Sequence, residues 1–247
     1  MNKTKFMLFH PIGKHLYETT IPSIKIENTT VERVKTFNFL GFTIDEHLSW
    51  KDHIAKISSK IGRVVGVMSK LKRIIPAHSL KLMYNSLIIP HLNYGITLWG
   101  HRASGLNKLQ KKAIRILTKS KYNAHTMPLL KQENLLSIED IYKLNCLKFY
   151  HKYKNSNLPD YFHNFFQRAN NYNTRNTLPD IPHSRTNLCK NRIRHYVPVL
   201  LRNSPISIIS KVDTHSLHGF TEYVKRYYIS QYNPICSIRN CYICNNN

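Results

Sequence analysis

The sequence predicts an α+β fold that is mostly helical: a small N-terminal antiparallel sheet, then a helical bundle, then a loop-rich C-terminal region. Three observations carry this. Residues 1–45 contain short runs rich in Ile, Thr and Phe, separated by Pro, Gly and Asn, which is strand-and-turn chemistry. From residue 48 the apolar positions recur at spacings of three and four, the period of a helix buried on one face. From residue 155 to 205 that period gives way to Asn, Pro, Arg and Thr. The predicted segments are therefore 1–47, 48–154 and 155–247.

The elements follow in order. "KFMLFH", "TIPSIKIEN" and "TFNFLGFTI" read as three strands of one small sheet. Trp50, Ile54, Ile57, Ile61, Val64, Met68 and Leu71 share one helical face, with Ser49 as N-cap, Asp52 three residues on, and Pro76 as the stop. A second helix spans 79–89, with Leu80, Met83, Tyr84 and Leu87 on one face, and stops before Pro90. A third spans 104–119 and a fourth 137–154, where Ser137 and Asp140 form a capping box. Loops with short strands fill the Asn- and Pro-rich stretch, and a last amphipathic helix runs from about 214 to 232.

Composition narrows the partners. The 247 residues carry 37 Lys and Arg against 13 Asp and Glu, a formal net charge of +24. Such an excess attracts polyanions, and nucleic acid is the one whose condensed counterions are released by many dispersed cations. The most apolar stretch, "LIIPHLNYGITLWG", is too short and too broken to cross a membrane. No leader pattern opens the chain, so an intracellular protein, nuclear or cytoplasmic, with reduced cysteines is expected.

The first helix places Lys56, Lys60, Arg63 and Lys70 on one narrow stripe beside its apolar face. The third repeats the device with Lys108, Lys112, Arg115 and Lys119. One such stripe is readily a solvated face; two, with this net charge, favour contact with a phosphate backbone. Catalytic groups are not apparent. Two-metal phosphoryl transfer needs clustered carboxylates. The acidic pairs here, Asp45-Glu46 and Glu139-Asp140, sit where turn and capping chemistry explain them. There is no Gly-rich phosphate loop and no nucleophile–base constellation. Cys236, Cys241 and Cys244 have partial zinc-ligand spacing but lack a fourth ligand after Cys244. No metal site is predicted.

Taken in order, the motifs resemble the reverse transcriptases of non-LTR (LINE-type, Jockey-like) retrotransposons. The likeness runs through "FNFLGFTIDEHLSWKDHIAKISSKI", "LMYNSLIIPHLNYGITLWG" and "LNKLQKKAIRILTKSKYNAHTMPLLKQENLLSIEDIYKL" to "NYNTRNT", "RNSP" and "FTEYVKRYY". By this resemblance Lys3-Thr4-Lys5 follows the family's catalytic loop. Phe39-Leu40-Gly41 belongs to the primer-grip hairpin, and Leu48-Ser49-Trp50 with His53-Ile54 opens the thumb. The resemblance implies that 1–47 is a palm remnant, 48–154 a thumb, and 155–247 an accessory region. Its implied partner is an RNA-template/DNA-primer duplex, with no membrane and no small-molecule substrate. The family's activity is RNA-directed DNA synthesis with Mg²⁺. Its catalytic carboxylates lie upstream of this region, and no Asp-Asp pair occurs in the chain. The chain alone is therefore expected to hold no cofactor and not to polymerise. A domesticated nucleic-acid-binding module and a functionless pseudogene product are the alternative readings.

Overall fold

A computed structural model describes residues 4–13, 23–27, 29–166 and 178–232. The described residues form six short strands and eleven α-helices, joined by 3₁₀ turns and one π turn. The mostly helical α+β class is as predicted. The chain divides into two units, Met1–Ser59 and Lys60–Asn247, with helix α1 (Lys51–Leu71) running across the division.

In the first unit the strands form three separate pairs rather than one three-stranded antiparallel sheet. β1 (Lys5–Phe6) runs parallel to β4 (Glu32–Arg33), and β2 (Lys25–Ile26) pairs antiparallel with β3 (Thr29–Thr30). β5 (Thr36–Phe39) and β6 (Phe42–Asp45) make an antiparallel hairpin with Phe39 opposite Phe42. The physical reason lies in burial. All four residues of β5 are exposed, and on β6 only Asp45 is buried. Without an alternating apolar face there is little to draw the pairs into a wider sheet.

The second unit is built around α7 (Ile138–Lys154), against which α3 (Ile89–Asn93), α4 (Ile96–Trp99), α9 (Ile193–Arg202), α10 (Ile206–Thr214) and α11 (Leu217–Ser230) pack. Segments expected to be separate at residue 155 thus share a core. The start of α7 is its polar anchor. The Asp140 backbone N–H donates to Ser137 Oγ at 3.2 Å, the N-cap half of the predicted capping box. Tyr232 donates from its hydroxyl to Asp140 Oδ2 at 2.7 Å and accepts from the Ser137 N–H at 2.8 Å. Buried Gln110, on α5 (Asn107–Leu117), accepts from the Ile138 N–H and donates to Tyr84 Oη and to the Leu136 carbonyl. A Cβ at Gly100 would run into the Tyr142 ring, so α7 and the 3₁₀ turn Gly100–Leu106 meet where only glycine fits.

Other differences from the sequence reading have local causes. The second helix does not stop before Pro90. α2 (Ala77–Met83) continues through a π turn (Tyr84–Ile88) into α3, and Pro90 occupies one of the first positions of α3. A wider turn takes up the clash and missing donor that a proline imposes on a regular helix. The third helix begins only at Asn107, after the 3₁₀ turn, and Lys119 lies past its end in a left-handed conformation, φ +56°. α6 (Thr126–Gln132), α8 (Asn187–Lys190), α9 and α10 occupy stretches where no helix is predicted. The last helix is shorter than expected, Leu217–Ser230.

Candidate nucleic-acid interface

The β5–β6 hairpin closes with the two residues Leu40 and Gly41, both at positive φ, +47° and +84°. Two such residues give the turn whose twist matches its strands. Gly41 adopts this freely, whereas a leucine there is strained by roughly 1–3 kcal/mol. Leu40 is nonetheless 71% exposed, and Phe39 beside it 54%. Phe39, Leu40 and Gly41 therefore form an apolar, outward-facing tip.

Asp45 ends the hairpin and organises the entry to α1. The backbone N–H groups of His47, Ser49 and Trp50 and the Ser49 hydroxyl all donate to its carboxylate, at 3.0–3.1 Å. Burial pushes the carboxyl upward. The backbone donors of Ser49, His47 and Trp50, with the Ser49 hydroxyl, outweigh it and hold Asp45 below the ordinary carboxylate range. This satisfies backbone donors in a segment where Leu48 and Trp50 both have positive φ. The predicted Ser49–Asp52 box is thus replaced by an aspartate from the preceding strand, although Ser49 Oγ still accepts from the Lys51 N–H at 3.4 Å.

Trp50 and His53, which the resemblance places at the opening of a thumb, face the hairpin. The Trp50 ring packs edge-on against both His53 and Phe42, the His53 ring lies tilted against Phe42, and His53 Nδ1 accepts from the Thr43 N–H at 3.3 Å. They join strand to helix within the first unit.

Along α1, Ile57, Ile61, Val65 and Met68 are buried, while Lys56, Lys60, Arg63 and Lys70 are all exposed. Lys56 donates to Asn38 Oδ1 on β5 at 3.1 Å. Among the described residues no carboxylate lies within ion-pair distance of any of the four. In the second unit Lys60 and Arg63 edge a shallow groove of about 420 Å³, floored by Val64, Val67, Met83 and Leu87 and closed by His91. Burial and then the charge of Lys60 lower the His91 pKa, so its ring stays neutral at pH 7. This groove has no sequence signature, because the π turn that sets Leu87 and His91 into position is not visible as a period.

On α5 the four cations separate. Lys108 and Lys112 are exposed. Arg115 is half-buried and donates from Nε to the Ala124 carbonyl at 2.8 Å, fixing the loop before α6. Lys119 is exposed beyond the helix end. Lys3, "NYNTRNT", Cys236, Cys241 and Cys244 lie outside the described residues. No helix among the described residues is long and apolar enough to cross a membrane.

Comparison with known proteins gives a partial sequence similarity. The chain is 32% identical over 103 residues, 38% of its length, to the RNA-directed DNA polymerase from mobile element jockey of Drosophila melanogaster. The match covers 11% of that polymerase, so the chain spans a small part of its relative. No protein-family profile matches the chain. No solved structure matches it. Part of the chain is thus similar in sequence to a short stretch of a mobile-element RNA-directed DNA polymerase.

Proposed function

We propose that this chain is a template–primer-gripping fragment of a non-LTR retrotransposon reverse transcriptase, without its catalytic carboxylates. The observation that carries this reading is the α1 stripe: four exposed cations on one helix face, with no carboxylate partner among the described residues. An unneutralised row of this kind suits a phosphate backbone, which it positions without reading sequence. The partial similarity to the jockey polymerase supports taking a template–primer duplex as the occupant in this reading. In this reading the Phe39-Leu40-Gly41 tip approaches the primer end, and Lys56, Lys60, Arg63 and Lys70, joined by Lys108, Lys112 and Lys119, follow the phosphates. Arg115 serves them indirectly, by holding its loop.

A salt titration tests the grip. Binding of an RNA/DNA duplex should weaken linearly in log–log form. Changing Lys60, Arg63 and Lys70 together to Gln should flatten the slope by about 0.9 for each phosphate contact removed. A chain that fails to bind the duplex at low salt, or a slope indifferent to these changes, ends the reading. Primer extension with Mg²⁺ or Mn²⁺ tests the second half: no incorporation above background is expected.

A further inference from the structure

In the first unit the fold brings His10 beside two metal-ligating side chains that are neighbours in the sequence, Glu46 and His47. His10, Glu46 and His47 present ligand atoms that all lie within 4.8 Å of one another. His10 Nε2 is 3.6 Å from Glu46 Oε2, and His47 Nε2 is 4.0 Å from Glu46 Oε1. We propose that His10, Glu46 and His47 form a binding site for a divalent transition-metal ion of the zinc class, which staples residues 4–13 to the turn leading into α1.

Geometry supports the assignment. Zinc–ligand bonds of about 2.0–2.1 Å at the tetrahedral angle set neighbouring ligand atoms about 3.3–3.4 Å apart. The ligand atoms, all within 4.8 Å of one another, need to close by at most about 1.5 Å to reach that spacing. The imidazoles are also oriented for it. His47 Nδ1 is 3.0 Å from the His10 carbonyl, and His10 Nδ1 is 3.2 Å from the Pro11 carbonyl. A carbonyl can only accept, so each Nδ1 carries a proton, and Nε2 is the nitrogen that would offer its lone pair to an ion in the cluster. A backbone acceptor on the far nitrogen is the usual support of a metal-bound histidine. The backbone is already in register, with the His10 N–H donating to the Glu46 carbonyl at 3.1 Å. The side chains are 12–31% exposed, which leaves an entry path and room for water as fourth ligand.

One group competes. Arg33 donates from Nη2 to Glu46 Oε2 at 2.8 Å. That leaves Oε1 as the oxygen open to an ion, with Arg33 fixing the carboxylate plane. Two imidazoles and a carboxylate suit Zn²⁺ rather than Mg²⁺ or Ca²⁺, which take oxygen ligands. The site does not depend on nucleic-acid binding.

The test uses the full chain, free of any affinity tag, with Cys236→Ser, Cys241→Ser and Cys244→Ser to silence the tail. Zn²⁺ should bind one to one. X-ray absorption at the zinc edge should show a nitrogen and oxygen shell with two imidazoles and no sulfur. Adding His10→Gln and His47→Gln should weaken binding by more than about 100-fold at unchanged circular dichroism. Sulfur in the shell, no stoichiometric Zn²⁺, or equal affinity in the double-histidine variant would overturn the proposal and leave an Arg33–Glu46 ion pair flanked by two histidines. The absorption spectrum needs no histidine variant, so it decides the matter even if that variant does not fold.

Discussion

The two units of the chain are held by different forces. In Lys60–Asn247 the core is apolar and extensive, with Trp99, Tyr84, Phe220, Ile61, Met68 and Leu80 among its fully buried side chains. In Met1–Ser59 the buried apolar residues are Val31 and Ile57, among those described, and they are matched in number by the buried polar residues Asp45 and His53. The second unit is a burial problem and the first a hydrogen-bonding one. Apolar burial is largely indifferent to pH and salt, whereas a carboxylate-centred turn responds to pH.

The largest effect should come from the second unit. Trp99 is fully buried, with Nε1 donating to the Tyr94 carbonyl at 3.1 Å. Trp99→Ala should cost about 3–5 kcal/mol in denaturant unfolding, since it leaves both a cavity and an unused acceptor. Next is Gln110→Leu, which keeps the volume but strands the Ile138 N–H and the Leu136 carbonyl. A loss of about 1–3 kcal/mol is expected. A neutral result there would mean that water reaches the start of α7.

Asp45→Asn should cost about 1–3 kcal/mol in the first unit, read by hydrogen exchange at Ser49 and Trp50. Its pH dependence is the sharper test. The folded carboxyl sits below the ordinary 3.8, so its contribution is complete above that pH and is lost as pH falls through the lower folded value. Wild type should converge on the asparagine variant in acid; parallel curves would show that charge is not what holds the turn. Leu40→Gly relieves the left-handed leucine and should tighten the hairpin by up to about 1 kcal/mol, while weakening duplex binding if the tip is used. Smallest of all, neutralising Lys60, Arg63 and Lys70 should move stability by no more than about 0.5 kcal/mol, since the three make no ion pair among the described residues.

The same contrast explains what could be read in advance. The Ser137–Asp140 cap and the basic stripe of α1 are local patterns, and both stand where the period and the cap signal put them. α9 was hidden because Pro198 interrupts it, although Ile193, Val197, Leu200 and Leu201 keep helical spacing. α10 was hidden because Pro205, its N-cap, reads as a loop residue. The Asp45 turn and the meeting of His10 with His47 arise from tertiary closure and have no sequence period at all. Arg115 shows the converse: its spacing matched a surface stripe, but its side chain is half-buried and donates to the Ala124 carbonyl instead of pointing freely outward.

The π turn at Tyr84–Ile88 has one more consequence. A π turn is, in effect, a single-residue insertion into an otherwise α-helical segment. Deleting one residue there, Asn85 for instance, would restore the α ladder and rotate everything downstream by about 100°. His91 would swing away from Lys60, and Pro90 would meet the carbonyl four residues before it. One extra residue thus acts as the indexing tooth that decides which side of this helix looks into the groove.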